Sequence, residues 1–211
     1  MPHLVLLGDS IFDNAIYVPG HPAVIDQVRA ELPSGWRATQ LAVDGNIAID
    51  VVRQLERLPA DATHLAVSTG GNDALIASGI LAQPARSVSE VLHEMADIQT
   101  DFRREYRQMV AAVLACRLPT LVCTIYDAIP GLDRDAVAAL TLFNDVILRE
   151  AIAAGIPVLD LRLLCNEATD YSPHSPIEPS HLGGRKIAQA LARVMTTHDF
   201  NRREAVIYSR A

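Results

Sequence analysis

Five short apolar runs punctuate the chain: HLVLLG at 3–8, ATQLAV at 38–43, HLAVST at 64–69, TLVCTI at 120–125 and IPVLDL at 156–161. None alternates cleanly between apolar and polar positions, which is the pattern of strands covered on both faces. Between them apolar residues recur at helical spacing over 22–32, 47–57, 88–115, 134–154 and 184–196. Regular alternation of strand and helix predicts right-handed crossovers, and so an α/β fold with three α/β/α layers around a five-stranded parallel sheet. In such a sheet, functional residues gather at the C-terminal ends of the strands.

Boundary residues refine this outline. Asn46 or Asp44 can cap the helix at 47–57, and Gly155 followed by Pro157 closes the one at 134–154. The stretch 162–183, RLLCNEATDYSPHSPIEPSHLG, contains Pro173, Pro176 and Pro179, which rule out continuous helix. A loop of that length inside a compact domain is expected to carry chemistry. Residues 1–198 read as one domain, and 199–211 as a C-terminal tail that is mildly basic around Arg202 and Arg203.

Composition narrows the function classes. With 211 residues, half of them hydrophobic and a fifth charged, the chain can bury one sizeable core. A formal charge of -7 argues against nucleic acid and anionic membranes as partners, and favours neutral substrates. The six-residue run at the N-terminus is too short for a membrane span or a signal-peptide core. Cys116, Cys123 and Cys165 are odd in number and lack CxxC spacing, so reduced core thiols and a cytoplasmic location are expected. His3, His64 and His93 read as edge or surface positions.

The first apolar run leads directly into GDSIFDN, which sets Gly8, Asp9 and Ser10 on the turn at a strand's C-terminal end. A serine placed there can be activated by a neighbouring base while its own backbone N–H faces an oxyanion. Taken alone, the segment is equally a turn with a capping serine, and Asp9 and Asp13 can stabilise it as Asx turns. VDGN with Gly45, and TGGND with Gly70, Gly71, Asn72 and Asp73, follow the second and third runs. Backbone N–H beside glycine and an Asn amide are the donors an oxyanion hole needs, so Ser10, Gly45 and Asn72 form a candidate set. Glu178 and His181 lie three apart in the proline-rich loop, where a carboxylate can orient an imidazole that takes the proton of Ser10. Asp170 and His174, upstream in the same loop, are a rival pair. Substrate contacts are expected from Asp9, Ile11, Gly71, Asp73 and Leu75, with Ile76, Ile129 and Pro130 nearby. No GxSxG string occurs, which argues against the α/β-hydrolase route to similar chemistry.

In order along the chain, GDSIFDN, Gly45, GGND and the ExxH before GGRKIA resemble the blocks of the SGNH hydrolase superfamily, the GDSL lipases and esterases. The resemblance spans residues 8 to 188. It implies a flavodoxin-like sheet, no cofactor and no metal, and a small-molecule carboxylic acid ester with a short-chain acyl or acetyl group as the substrate. It further implies Ser10 as nucleophile and oxyanion donor, Gly45 and Asn72 as the other donors, and His181 as general base. The family has Asp three residues before its histidine, where this chain has Glu178. Two other outcomes fit the same residues: acyl transfer to an alcohol or sugar, and a non-catalytic flavodoxin-like module holding an anion at a helix N-terminus behind Ser10. The oligomeric state is not encoded in any of these motifs.

Overall fold

A computed structural model describes residues 1–202 and 204–210, so Arg203 and Ala211 lie outside the described residues. Six strands form one fully parallel sheet: β1 (His3–Gly8), β2 (Arg37–Gln40), β3 (His64–Ser68), β4 (Thr120–Cys123), β5 (Val158–Leu159) and β6 (Ile207–Tyr208). Their order is β2-β1-β3-β4-β5-β6, so the direction of winding reverses between β1 and β3. In doubly wound sheets, ligands bind in the crevice outside the strand ends at that reversal.

The helices are α1 (Val24–Glu31), α2 (Val51–Leu55), α3 (Gly71–Ala77), α4 (Val88–Ala115), α5 (Arg134–Ala154), α6 (Leu161–Leu164) and α7 (His181–Thr197). Successive side chains of a strand point to opposite faces, and both faces of this sheet are dry. Leu4 and Leu6 of β1 pack with Val24, Val28, Ile187 and Leu191 of α1 and α7. Val5 and Leu7 pack with Val51, Phe102, Met109 and Ile147 of α2, α4 and α5. This explains why the strand runs are uniformly apolar. Between α4 and α5 the buried Glu150 carboxylate takes both Arg103 (2.6 Å) and Arg107 (2.9 Å). That pairing, Arg107 foremost, holds its pKa below the usual carboxylate range despite burial.

Several expectations need correction. The sheet has six strands and not five, because Ile207 and Tyr208 of the anticipated tail pair with Val158 and Leu159. The helix at 47–57 is a 3-10 turn leading into α2, and neither Asn46 nor Asp44 caps it. Asp50 Oδ2 accepts from the Ile47 N–H, Asn46 Oδ1 accepts from Gln54, and Asp44 accepts from the Tyr17 hydroxyl. His3 is 2% exposed and bridges Asp61 and Thr39 at the N-terminal edge of β1, so it is a core histidine. The stretch 162–183 is ordered by α6, a 3-10 turn and a Tyr171–Pro179 bridge. Gly155 does end α5, in left-handed conformation at φ 66°.

The end of β1 is the tightest point of the fold. Gly8 has φ 121°, and a Cβ built on it would fall 1.7 Å from the Ser68 carbonyl oxygen on β3. Gly8→Ala is therefore expected to destabilise the protein by about 3 kcal/mol or more, combining left-handed strain with overpacking, as read from urea denaturation midpoints.

Candidate active site

Ser10 sits in a turn directly after β1, buried at 5% exposure. Three ties fix that turn. Gln54 clamps the strand end, accepting from the Gly8 N–H (2.8 Å) and donating to the Gly8 carbonyl (2.7 Å). Asp9 N–H donates to the Ser68 carbonyl at 3.1 Å. Asp9 Oδ1 accepts from Ile11 N–H at 3.2 Å, the Asx turn expected of it. The segment behind Ser10 is turn followed by a 3-10 helix at Ala15–Tyr17, so the α-helix N-terminus that an anion-binding module would use is not at this point. Asp13 does not stabilise its own turn. Its two oxygens accept from Gln40 Nε2 (2.7 Å) and Asp44 N–H (2.9 Å), and so hold the loop carrying Gly45.

Asn72 enters at the start of α3, in the crevice after β3, and donates to the Asn46 carbonyl at 2.9 Å. One amide hydrogen is thereby committed and the second is left for a ligand. Gly45 adopts φ 80° in the neighbouring loop. Asp73 turns from the cleft, its Oδ2 accepting from Ala48 N–H at 3.0 Å.

The proline-rich loop delivers Glu178 to Ser10. Both residues line one cavity with Asp9, Ile11, Gly71 and Asn72. The backbone around Glu178 is pinned on each side. Ser172 N–H donates to the Glu178 carbonyl (2.8 Å), Glu178 N–H to Ser175 (3.0 Å), and Ser180 N–H to Asp170 (2.8 Å). Asn14, the last residue of GDSIFDN, joins this loop to the Ser10 segment: its Nδ2 donates to the Pro179 carbonyl and its Oδ1 accepts from Val24 N–H.

Ser180 caps α7 by accepting from Leu182 and Gly183, which makes His181 the first helical residue. Its ring stacks on His21, centroids 4.0 Å apart and planes 9° from parallel. Of the rival pair, Asp170 accepts from Lys186 of α7 (2.9 Å), and His174 is exposed, its backbone N–H tied to Ser172.

Electrostatics single out the same carboxylates. Burial pushes the Glu178 carboxyl up to about 7, against the opposing hydrogen bond from Ser10 and with help from the Asp44 charge. Burial also raises Asp9 well above its ordinary range, with the charges of Glu178 and Asp73 adding to it, and lifts Asp73 to about 6. Among the described residues, no group of His, Cys, Asp and Glu is arranged to hold a metal ion, and no helix is long and apolar enough to cross a membrane.

Beyond Ser10 the cavity is apolar, about 150 Å³, walled by α3 and its 3-10 extension, α4, α5 and the segment after β4. Leu75 and Ile129 line it as expected, whereas Ile76 faces a separate surface depression. Residues the motifs did not flag, including Ile98, Leu140 and Phe143, complete the wall. Gln54 and Asn14 were likewise missed. Asn14 had a signal, as the last letter of GDSIFDN, but Gln54 stands in an ordinary helical segment.

The model of the GDSL-like lipase/acylhydrolase family matches residues 6–186. The chain belongs to this family. It is a family of ester-hydrolysing enzymes. No curated protein matches the sequence. Among solved structures, a lipase from a goat rumen metagenome is similar at TM-score 0.71 and 16% identity, over 97% of this chain and 100% of that one. An extracellular lipase from Streptomyces rimosus is similar at TM-score 0.67 and 17% identity, over 94% and 100%. An acetyl xylan esterase gives TM-score 0.66 and 14% identity, over 92% and 99%.

The raised carboxylates make a stability prediction. A carboxyl whose folded pKa lies above its unfolded value holds its proton more tightly when folded, so stability falls as pH rises between the two values. The melting temperature should therefore drop as pH is raised from about 5 to 8, as Asp73 and then Glu178 lose protons inside the protein. Asp9→Asn, which keeps Oδ1 for Ile11 and removes the buried acid, should melt higher than the parent at pH 8 in differential scanning calorimetry.

Proposed function

We propose that this protein is a serine ester hydrolase whose substrates are small carboxylic acid esters with an apolar acyl chain of intermediate length, cleaved through an acyl-Ser10 intermediate. The observation that carries the reading is the apolar cavity of about 150 Å³ that opens on the buried Ser10. A cavity of that volume takes a molecule the size of benzene, roughly six carbons, which an acetyl group would leave mostly empty. The ester carbonyl would sit at the mouth beside Ser10. Its oxygen would meet the Ser10 N–H, the Gly45 N–H and the uncommitted Asn72 amide hydrogen as charge develops. Ile11, Gly71 and Leu75 would contact the acyl chain near the reacting carbon. Free thiols at Cys116, Cys123 and Cys165 support action in a reducing, cytoplasmic compartment.

A p-nitrophenyl ester series tests this. Each buried methylene contributes about 0.8 kcal/mol, so kcat/KM should rise about tenfold or more from acetate to hexanoate and fall once the chain exceeds the cavity. A fluorophosphonate should label Ser10, and Ser10→Ala should abolish both labelling and turnover with the fold intact. A profile that peaks at acetate, with hexanoate not turned over, would overturn the acyl-chain reading.

A further inference from the structure

We propose that His21 is a positioning residue for His181, its stacked ring fixing the plane in which that imidazole serves as general base toward Ser10. The inference rests on the serine-esterase reading above, with His181 as the base that the family resemblance implies, and concerns what orients that base.

His181 is the first residue of α7. Helical side chains lean back over the preceding turn, and the first residue has no preceding turn to lean on. His21 supplies that support from outside the helix, its ring 4.0 Å from the His181 ring and 9° from parallel. Rotation of an imidazole about its Cβ–Cγ bond is otherwise broad, and contact across a whole ring face restricts it.

The stack is set by the framework behind both rings. Gly20 at φ 79° and Pro22, which restricts the residue before it, bracket His21, whose N–H donates to the Val18 carbonyl at 2.9 Å. The buried Gln27 of α1 donates from one amide nitrogen to the Pro22 carbonyl (2.9 Å) and to the His181 carbonyl (3.1 Å). Asn14 ties the same two segments again, donating to the Pro179 carbonyl (3.1 Å) and accepting from Val24 N–H (2.9 Å). Helices α1 and α7 meet so closely here that a Cβ on Gly184 would stand 3.3 Å from that Gln27 nitrogen.

As Ser10 Oγ bonds to the acyl carbon, its proton would pass to His181 and from there to the departing alcohol oxygen. A base must be neutral to accept it. Burial, the like charge of His21 and that of Arg185 all lower the His181 pKa below the ordinary histidine value. The positive end of α7 acts in the same sense. At this contact α1 presents only the uncharged Val24 and Gln27, while Glu178 precedes His181 in the loop. His21 therefore has two separable effects: its face orients the base, and its charge lowers the pH at which the base becomes available.

His21→Ala and His21→Phe, assayed on p-nitrophenyl hexanoate across pH with His181→Gln as reference, separate them. His21 is exposed, so neither substitution should move the melting curve. His21→Ala should lower kcat about tenfold, part of the roughly 10²- to 10⁴-fold that a general base contributes, with KM unchanged. His21→Phe keeps a stacking face and should retain most of kcat. In both variants the rising limb of kcat/KM should move to higher pH, because a positive neighbour of His181 is gone. Equal loss of kcat in the two variants, a loss that falls on KM, or a limb that stays in place would overturn the positioning role. So would a His181→Gln variant as active as the parent, and in each of these cases the esterase reading stands. A parent that neither hydrolyses an ester nor is labelled at Ser10 would remove both.

Discussion

The close approach of β1 and β3 governs the geometry of this protein. At Gly8 the two backbones come so near that no side chain fits, and the chain leaves the strand in a left-handed conformation that glycine alone adopts readily. Because the approach fixes both the end of β1 and the direction of exit, it fixes the position of Ser10. Gln54 reinforces it by satisfying both polar groups of Gly8 with one side-chain amide, and extends the same amide to Asn46. From there the loops at the strand ends become mutually dependent: Asp13 holds the loop after β2, Asn72 holds its far side, and Asn14 reaches across to the segment bearing Glu178. Each bond is individually modest, about 1 kcal/mol net. Together they give the nucleophile one well-defined orientation.

Within that frame, the carboxylates of the site are left without the basic partners that stabilise Glu150 of α5 between Arg103 and Arg107 of α4. The contrast is instructive because both sets are buried. Where a cation is supplied, acidity is kept and the pair joins two helices. Where none is supplied, the proton is retained to higher pH, and stability is exchanged for chemical readiness.

Much of the fold was legible because its physics is local. The spans of α4 and α5 follow from helical spacing and agree at both ends with the structure, and β1 agrees residue for residue. Strand β6 was not legible: two residues, Ile207 and Tyr208, carry no pattern, and their pairing is decided by the open edge of β5. At the site, the placement of Ser10 could be read because a serine after an apolar strand is a local feature. The relation of Glu178 to His181 could not. A spacing of three puts two side chains on one face only inside a helix. Ser180 is the cap, so Glu178 belongs to the irregular chain before it and His181 to the first turn of the helix after it. The apolar cavity was partly hidden for another reason, since Ile98, Leu140 and Phe143 come from helices far apart in sequence and read there as ordinary core.

The short sixth strand has a practical consequence. Val158 donates to the Val206 carbonyl and Asp160 to that of Tyr208, while the Tyr208 hydroxyl meets His198. The C-terminal segment therefore shields a row of backbone groups that would otherwise template intermolecular pairing. Shortening the chain at residue 198 would not trim an appendage. It would bare the backbone groups of β5 that β6 now covers, so an expression design should keep this segment and place any affinity tag at the opposite end.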